Sequence, residues 1–216
     1  FTGVVSDLGG PTANMYHLKC KDEKIEAACR RLSCVYPDIC ENMNTDHAPL
    51  ISLYRKARSL KGVKKIQIGS GLRYDLAVRS PEYIRELVTH HVGGYLKIAP
   101  EHISDRVTRI MGKSNRSVYQ RFAERFRKMN ERLGLKQYLV PYFMSSHPGA
   151  KLENAIELAE FIRDMGYHPQ QVQDFIPTPG TLSTCMWYTG IDPMTGEKVY
   201  TAKSYEEKLM QRALMQ

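Results

Sequence analysis

Residues 4–12 read VVSDLGGPT, and this stretch decides the fold class, because an apolar run ends there in a carboxylate, two glycines and a proline. Glycine gives the backbone its widest freedom and proline its narrowest, so the stretch predicts a strand that stops in a tight loop. Without Cβ atoms at the two glycines, a ligand can approach the main chain closely. The alternative from these residues alone is a turn that needs positive φ angles.

Four further runs of apolar or β-branched residues resemble this first strand. Together the five predicted strands lie at about 2–8, 63–69, 94–98, 138–144 and 171–176. Helical patterns lie between them: Ser80 and Pro81 begin one helix, and Ser204 and Glu207 form a capping box for another. Strands that alternate with helices predict an α/β fold with a parallel sheet.

Polar and turn-forming residues follow every predicted strand. The strand ends read DLGGP at 7–11, SGLRYD at 70–75, KIAPEH at 97–102, SSHPG at 145–149 and PTPGT at 177–181. In a barrel all strands end at one mouth, whereas an open sheet gathers its ligand residues at one switch point. The distribution favours a barrel. A complete eight-stranded barrel needs about 250 residues, so the 216 residues here predict a partial one.

Three of these strand ends supply candidate site residues. Arg73 beside Asp75 is either a forked donor for a carboxylate or phosphate, or half of a surface ion pair. Lys97 and Glu101 share one face of a strand and point to a ribose contact or proton transfer, unless Glu101 only complements the dipole of the next helix. His147 is either a hydrogen-bonded turn residue or a ligand and base.

Four of the five cysteines cluster in an insertion at about 17–47, after the first strand. They are Cys20, Cys29, Cys34 and Cys40. Their gaps of eight, four and five residues match no common zinc or ferredoxin pattern, so a zinc or iron–sulfur site and reduced thiols packed on helices both remain open. Cys185, near Trp187, is interpreted as a packing residue.

The charge balance bears on partners. A net charge of +8 and a pI near 9.2 favour an anionic partner, either a nucleotide cofactor or RNA, although the charge also serves solubility alone. No apolar run is long enough to cross a bilayer and no leader precedes the first strand, so we expect a cytoplasmic protein without a membrane partner.

Several longer strings resemble one known family. The chain is similar to the radical S-adenosylmethionine (radical SAM) superfamily, and within it to the YgiQ type, UPF0313. The strings that carry this resemblance are GVVSDLGGPTANMY, CRRLSC, NTDHAPL, SGLRYDLA, ELVTHHVGGYLKIAPEH and HPG. The resemblance implies a six-stranded partial barrel with SAM bound across the strand ends. It also implies a [4Fe–4S] cluster that cleaves SAM reductively to a 5′-deoxyadenosyl radical, and an electron donor such as a flavodoxin or ferredoxin.

The three-cysteine motif that holds this cluster, with gaps of three and two residues, is absent from the chain. In the family it lies on the loop after the first barrel strand. We therefore expect a fragment that begins at the second strand, with barrel residues up to about 200 and the start of a helical extension at 201–216. Such a fragment is expected not to cleave SAM alone.

The resemblance also assigns roles to residues. Gly9 and Gly10 resemble the Gly-Gly-Glu-Pro turn and would contact the methionyl amino group through backbone carbonyls. Pro11 stands where the acid is usual, which removes a carboxylate acceptor. The remaining cofactor-binding candidates are Ser70, Arg73 for the methionyl carboxylate, Lys97 and Glu101 for the ribose or carboxylate, and His147 for the adenine side.

A second class of function also fits the composition. The positive charge and the cysteine insertion suit an RNA-binding or metal-stapled interaction module on an α/β scaffold. A basic stripe with exposed aromatic residues would favour this alternative.

Overall fold

The computed structural model describes residues 1–10, 12–166, 169 and 172–216. Pro11 and Gln171, the first residue of the predicted fifth strand, lie outside them. The strands are β1 (Gly3–Val5), β2 (Val63–Ile66), β3 (Tyr95–Glu101), β4 (Tyr138–Ser145) and β5 (Val172–Asp174). The helices are α1 (Glu23–Ala28), α2 (Ala48–Arg58), α3 (Tyr74–Ala77), α4 (Pro81–Glu86), α5 (Asp105–Ile110), α6 (Arg116–Leu133), α7 (Leu152–Asp164), α8 (Leu182–Thr189) and α9 (Tyr205–Ala213). A 3-10 turn covers Ala13–Met15, and a π-helical turn, Leu87–His91, follows α4.

A strand lies at each of the five predicted places, and the strands pair in parallel. β1 pairs parallel with β2, β4 pairs parallel with β5, and a second sheet has the order β3-β4-β5. The α/β class with parallel sheets is therefore confirmed. β3 is longer than predicted because it continues through Pro100 to Glu101. The six-stranded partial barrel stays a prediction.

The chain divides into two compact units. Unit 1 consists of residues Phe1–Ala99 and Ser117–Val140, and unit 2 of Pro100–Arg116 and Pro141–Gln216. Among the described residues, no helix combines the length and apolar character that a membrane span requires.

Unit 1 buries the apolar faces of its helices. Tyr119, Phe122 and Phe126 recur at three- and four-residue spacing along α6 and are all buried, as the amphipathic pattern predicts. Gly134 follows the helix with φ 64°, which is the left-handed conformation of a C-terminal cap. β1 is less buried than its apolar sequence suggests, since Val4 is half exposed.

Unit 2 has helices whose ends match their capping signals. Ser204 and Glu207 form the predicted capping box at the start of α9, with each side chain bonded to the other residue's backbone N–H. In α7, Ala155, Leu158 and Ile162 are buried on one face. Gly166, two residues after the end of α7, has φ 63°, the left-handed conformation of a C-terminal cap.

The cysteine-bearing segment at 17–47 joins the 3-10 turn to α2. Its base is closed by an antiparallel bridge between Cys20 and Met43, and Met43 is buried. α1 begins at the N-cap of Asp22, whose carboxylate accepts from the backbone N–H groups of Lys24 and Ile25. No residue of α1 is buried, so local capping rather than packing supports this helix.

Candidate functional site

Two polar groups lie at the carboxyl ends of the strands, one in each unit. The first, which we call the Asp7 site, consists of Asp7, Gly9, Gly10, Gly69 and Ser70. Asp7 follows β1, and its carboxylate accepts hydrogen bonds from the backbone N–H groups of Gly69 (2.8 Å) and Ser70 (3.3 Å) and from the Ser70 hydroxyl. Burial raises the pKa of Asp7, but these hydrogen bonds outweigh it and leave the pKa below its ordinary value.

The two glycines after Asp7 adopt the positive φ angles that the turn interpretation predicts, 110° at Gly9 and 74° at Gly10. A Cβ atom at Gly9 would lie 2.8 Å from the Cβ of Ala13, so the turn itself requires glycine there. A Cβ atom at Gly10 would meet no atom of the other described residues within 4 Å, apart from its neighbours in the chain. The main chain at Gly10 is therefore open to a ligand, although its backbone conformation alone already favours glycine.

Arg73 forms the ion pair that was one of its two interpretations. Its Nε donates to Asp75 Oδ1 at 3.0 Å and its Nη2 contacts the second oxygen of the same carboxylate. The hydrogen bonds that Arg73 donates to the Asp75 carboxylate raise the pKa of Arg73. The guanidinium is engaged within the protein, with about a third of the side chain exposed.

Asn14 anchors Arg73, and sequence reasoning missed it. This side chain is fully buried, donates to the Arg73 carbonyl at 2.7 Å and accepts from the Arg73 N–H at 2.8 Å. The Asn14 side chain thereby satisfies both backbone groups of Arg73, as a neighbouring strand would, in the segment between β2 and α3. The sequence offered no signal, because a single asparagine 59 positions away in the chain has no periodic or motif context.

Lys97 lies on the exposed face of β3, alternating with buried Leu96 and Ile98. Unit 1 brings this strand next to the segment after β2 through a parallel bridge between Leu72 and Ile98. A Cβ at Gly71 would lie 2.8 Å from the Lys97 carbonyl oxygen, so the close approach of the two backbones requires glycine at this position. Unit 1 thus holds Gly9, Gly10, Ser70, Arg73 and Lys97.

The second group, in unit 2, is the Glu101–His147 cluster, which consists of Glu101, His102, Lys113, His147 and Ser183. Glu101 ends β3 in the left-handed region with φ 62°, a conformation that costs free energy for a residue other than glycine. Its carboxylate pairs with Lys113 Nζ at 2.7 Å. Glu101 is therefore a strand-end residue and lies outside the first turn of α5.

His102 is a buried, neutral imidazole. Its Nδ1 accepts from the backbone N–H groups of Ile103 and Ser104, both at 3.0 Å, so this nitrogen carries no proton and Nε2 carries the hydrogen. Burial, with a smaller contribution from His147, lowers the pKa of His102 to about 4.

His147 has the opposite tautomer. Its Nδ1 lies 2.8 Å from the Pro148 carbonyl and donates to it, while Nε2 accepts from the Ser183 hydroxyl at 2.9 Å. Burial lowers the pKa of His147. Ser183, near the start of α8, is a second residue that the sequence did not indicate. The cluster therefore combines two neutral imidazoles with a hydroxyl and a Lys–Glu pair, which are groups suited to hydrogen bonding and proton transfer.

The end of β4 is held by residues from the far end of the chain. Ser145 donates to the carboxylate of Asp174, which pairs with Arg212 at 3.0 Å. Gln211, buried in α9, accepts from the Ser146 N–H and donates to the Ala150 carbonyl. α9 thereby fixes the loop that carries His147.

The cysteines are all free thiols. Cys29, Cys34 and Cys185 are exposed, and Cys20 and Cys40 are half-buried. Across the described residues, no three His, Cys, Asp or Glu side chains are placed to hold a metal ion. The second metal site stays a prediction. The packing interpretation of Cys185 is wrong, because α8 buries its neighbour Met186 and turns Cys185 to solvent.

Comparison with known proteins gives matches along the full chain. The chain is 51% identical over 216 residues to a UPF0313 protein of Methanocella arvoryzae, covering 100% of this chain and 36% of that protein. It is 56% identical over 215 residues to a UPF0313 protein of Chromobacterium violaceum, covering 97% and 28%. A UPF0313 protein of Clostridium perfringens is 53% identical over 218 residues, covering 100% and 33%. A family model described as a domain of unknown function (DUF3362) matches residues 170–216.

The chain is thus an α/β protein with parallel sheets and with polar clusters at the ends of its strands. Its homologues are UPF0313 proteins, the YgiQ-type family, which confirms the resemblance drawn from the sequence. The chain spans about a third of the length of the curated relatives it matches.

Proposed function

We propose that the chain is part of a radical SAM enzyme and that the Asp7 site binds the methionyl end of SAM. The observation that carries the proposal is the open main chain at Gly10, in the loop that follows the parallel strand β1 and also contains Asp7. The homology to UPF0313 proteins supports it, since the strings that resemble radical SAM proteins include this loop.

The residues of the Asp7 site fit an α-amino group. Asp7 accepts three hydrogen bonds from Gly69 and Ser70, whereas an ionised carboxylate offers about four acceptor positions. One position therefore remains for an ammonium donor. Pro11 stands where the family pattern has an acidic residue. We therefore propose that Asp7 supplies the negative charge that faces the methionyl amino group. Its lowered pKa keeps Asp7 anionic at neutral pH.

The cysteines do not fit the [4Fe–4S] cluster. The three-cysteine motif is absent from the sequence, and the described thiols form no group of three ligands. A [4Fe–4S] cluster with SAM would supply reductive cleavage chemistry, and we assign no step of that chemistry to residues of this chain. We expect the 216 residues alone to form no 5′-deoxyadenosine under reducing, anaerobic conditions.

Calorimetric titration of the chain with SAM tests the binding proposal. We expect saturable binding that weakens at least severalfold in Gly10→Ala, whose methyl group would enter the space left for the ligand. Gly134→Ala is the matched control, because Gly134 also has a positive φ and open space around its Cβ position but lies at the end of α6. Both variants carry the same kind of backbone strain, so only a ligand contact separates them.

Asp7→Asn tests the charge. We expect weaker SAM binding with retained folding, because the amide oxygen still accepts from Gly69. Absence of saturable SAM binding, or equal weakening by Gly10→Ala and Gly134→Ala, contradicts the proposal.

A further inference from the structure

A second surface of unit 1 carries a different chemistry, at the amino ends of its strands. Lys64 and Lys65 are the second and third residues of β2, Tyr95 is the first residue of β3, and Tyr138 is the first residue of β4. Ser70 lies beyond the opposite, carboxyl end of β2. We call this region the amino-end surface and define it by these four residues together with Arg85 of α4.

Two adjoining cavities open onto the surface. One, of about 440 Å³, is lined by Arg55, Arg58, Glu82, Arg85, Glu86, Thr89, His90 and Leu133. The other, of about 300 Å³, is lined by Arg58, Val63, Lys64, Lys65, Thr89 and His90. Arg58, Thr89 and His90 belong to both linings, so the two cavities form one continuous depression.

The cations of this depression fall into two sets. Arg55 pairs with Glu86 at 3.2 Å and with Glu82 at 3.5 Å, and Arg58 pairs with Glu86 at 2.6 Å. Lys64, Lys65 and Arg85 form no ion pair with any carboxylate in the described part of the chain. The first set holds the depression together, and the second set leaves uncompensated positive charge at its rim.

Two exposed aromatic rings lie at the amino ends of β3 and β4. Tyr95 is 70% exposed and Tyr138 is 58% exposed, and their ring centroids lie 6.0 Å apart with an interplanar angle of 33°. Lys65 Nζ lies 3.5 Å from the Val92 carbonyl, which also accepts from Gln137 beside Tyr138. Lys65 and Gln137 thus meet at one carbonyl, which places Lys65 near the tyrosine pair, while Lys64 and Arg85 line the depression that Lys65 also lines.

We propose that the amino-end surface binds single-stranded nucleic acid, with Lys64, Lys65 and Arg85 at phosphates and the two tyrosine rings stacked on bases. Spaced cations beside exposed rings fit a phosphodiester chain, because the backbone takes the charges while each base offers a face for stacking. Solubility alone accounts for exposed lysines but leaves two adjacent, largely exposed tyrosine rings without a role. The surface is separate from the Asp7 site, so this inference does not depend on SAM binding.

Fluorescence anisotropy of a short fluorescein-labelled oligouridylate, titrated with the chain at several salt concentrations, tests the charge contacts. We expect Lys64→Gln, Lys65→Gln and Arg85→Gln each to weaken binding and to lower the slope of log K against log salt by up to about 1. Lys24→Gln, on the fully exposed α1, is the charge-matched control and should leave that slope unchanged. The three test residues make no ion pairs, so their replacement should preserve the fold.

Tyrosine variants test the stacking contacts. Tyr95→Ala and Tyr138→Ala should each weaken binding by about fivefold or more with little change in salt slope, whereas Tyr95→Phe should retain affinity. Heparin, a polyanion without bases, is the comparison ligand and should be insensitive to both alanine variants. The proposal is overturned if the lysine and arginine variants behave like Lys24→Gln, or if loss of the tyrosine rings affects oligouridylate and heparin alike. All these variants should titrate with SAM as the unaltered chain does, so failure of one proposal is distinguishable from failure of the other.

Discussion

The carboxylate of Asp7 accepts hydrogen bonds from both the hydroxyl and the backbone N–H of Ser70, a residue 63 positions later in the chain. This contact joins the segment after β1 to the segment after β2. The position of the Gly9–Gly10 loop therefore depends on the neighbouring strand as well as on its own turn geometry. A change at Asp7 should act on stability and on the loop together.

Asp7→Ala should lower the free energy of unfolding by about 1–2 kcal/mol at neutral pH, because charge-assisted hydrogen bonds to a half-buried carboxylate are lost. The pKa of Asp7 is lower in the folded protein than in the unfolded chain, where it is 3.8. The stabilisation is therefore present above pH 3.8 and is lost as the pH falls through the pKa of the folded state. Denaturant unfolding at neutral pH and at about pH 3 measures both effects. An undiminished difference between variant and parent at the acidic pH argues against this explanation.

Asn14→Ala should cost about 2–3 kcal/mol, because it leaves the N–H and carbonyl of Arg73 without their partner in a buried setting. Asn42→Ala, at an exposed asparagine, is the control and should change stability by less than about 0.5 kcal/mol. Thermal or denaturant unfolding gives the comparison. Equal effects of the two substitutions would mean that the N–H and carbonyl of Arg73 find other hydrogen-bond partners when Asn14 is removed.

His102 should make the fold sensitive to mild acid. Its pKa falls from 6.5 in the unfolded chain to about 4 in the folded one, so the unfolded state binds the proton more readily between these values. Stability from this residue is complete above pH 6.5 and is lost as the pH falls toward 4, by about 3 kcal/mol in total.

His102→Asn tests this expectation, because the asparagine oxygen can accept from Ile103 and Ser104 but does not titrate. His147, whose pKa burial also lowers, remains in both proteins. Unfolding free energies measured between pH 7 and 4 should fall more steeply for the parent than for the variant. If the unfolding free energies of parent and variant fall equally with pH, protonation of His102 is not the cause of the loss of stability in acid.

Gly149→Ala should destabilise unit 2 by about 2 kcal/mol, because Gly149 has φ 89° and a Cβ there would overlap Ile110 Cδ1. Ile110→Val removes that methyl group, so the double variant should be more stable than the sum of the two single effects predicts. Gly112→Ala also forces a side chain into positive φ but meets open space, and should cost less. Strict additivity in the double variant would exclude the steric contact.

The thiols should react at rates set by exposure. In the chain treated with a chelator, Cys29, Cys34 and Cys185 should react first with a thiol reagent, and half-buried Cys20 and Cys40 later. A metal held by the cysteine-bearing segment would protect its four cysteines and leave Cys185 reactive. Anaerobic zinc addition followed by labelling and mass spectrometry therefore decides whether the predicted second metal site exists.

The strands and their capped helices were predictable from the sequence because their signals are local. Ser204, Glu207 and Gly134 act within a few residues of the helix ends that they define, and the sequence alone placed them correctly. The spacing of Phe122 and Phe126 is a property of one helix. Physical causes that lie within one turn or strand can be read without knowing what packs against it.

The site partners were less predictable because they come from distant parts of the chain. Ser183 lies 36 positions after His147, and Gln211 lies 65 positions after Ser146. Glu101 was expected either near Lys97 or in a helix turn, but the extra length of β3 and a positive φ direct it to Lys113. Which donor meets which acceptor depends on tertiary packing, for which a single sequence carries no periodic signal.

α1 has no buried residue, and nearly all of the segment from 21 to 42 is exposed or half-buried. Opening this segment therefore exposes little new apolar surface and costs little free energy. Its amides should exchange with deuterated solvent much earlier than those of α6, and limited proteolysis should cut there before the rest of unit 1 unfolds. We therefore expect residues 21–42 to open separately from the rest of unit 1.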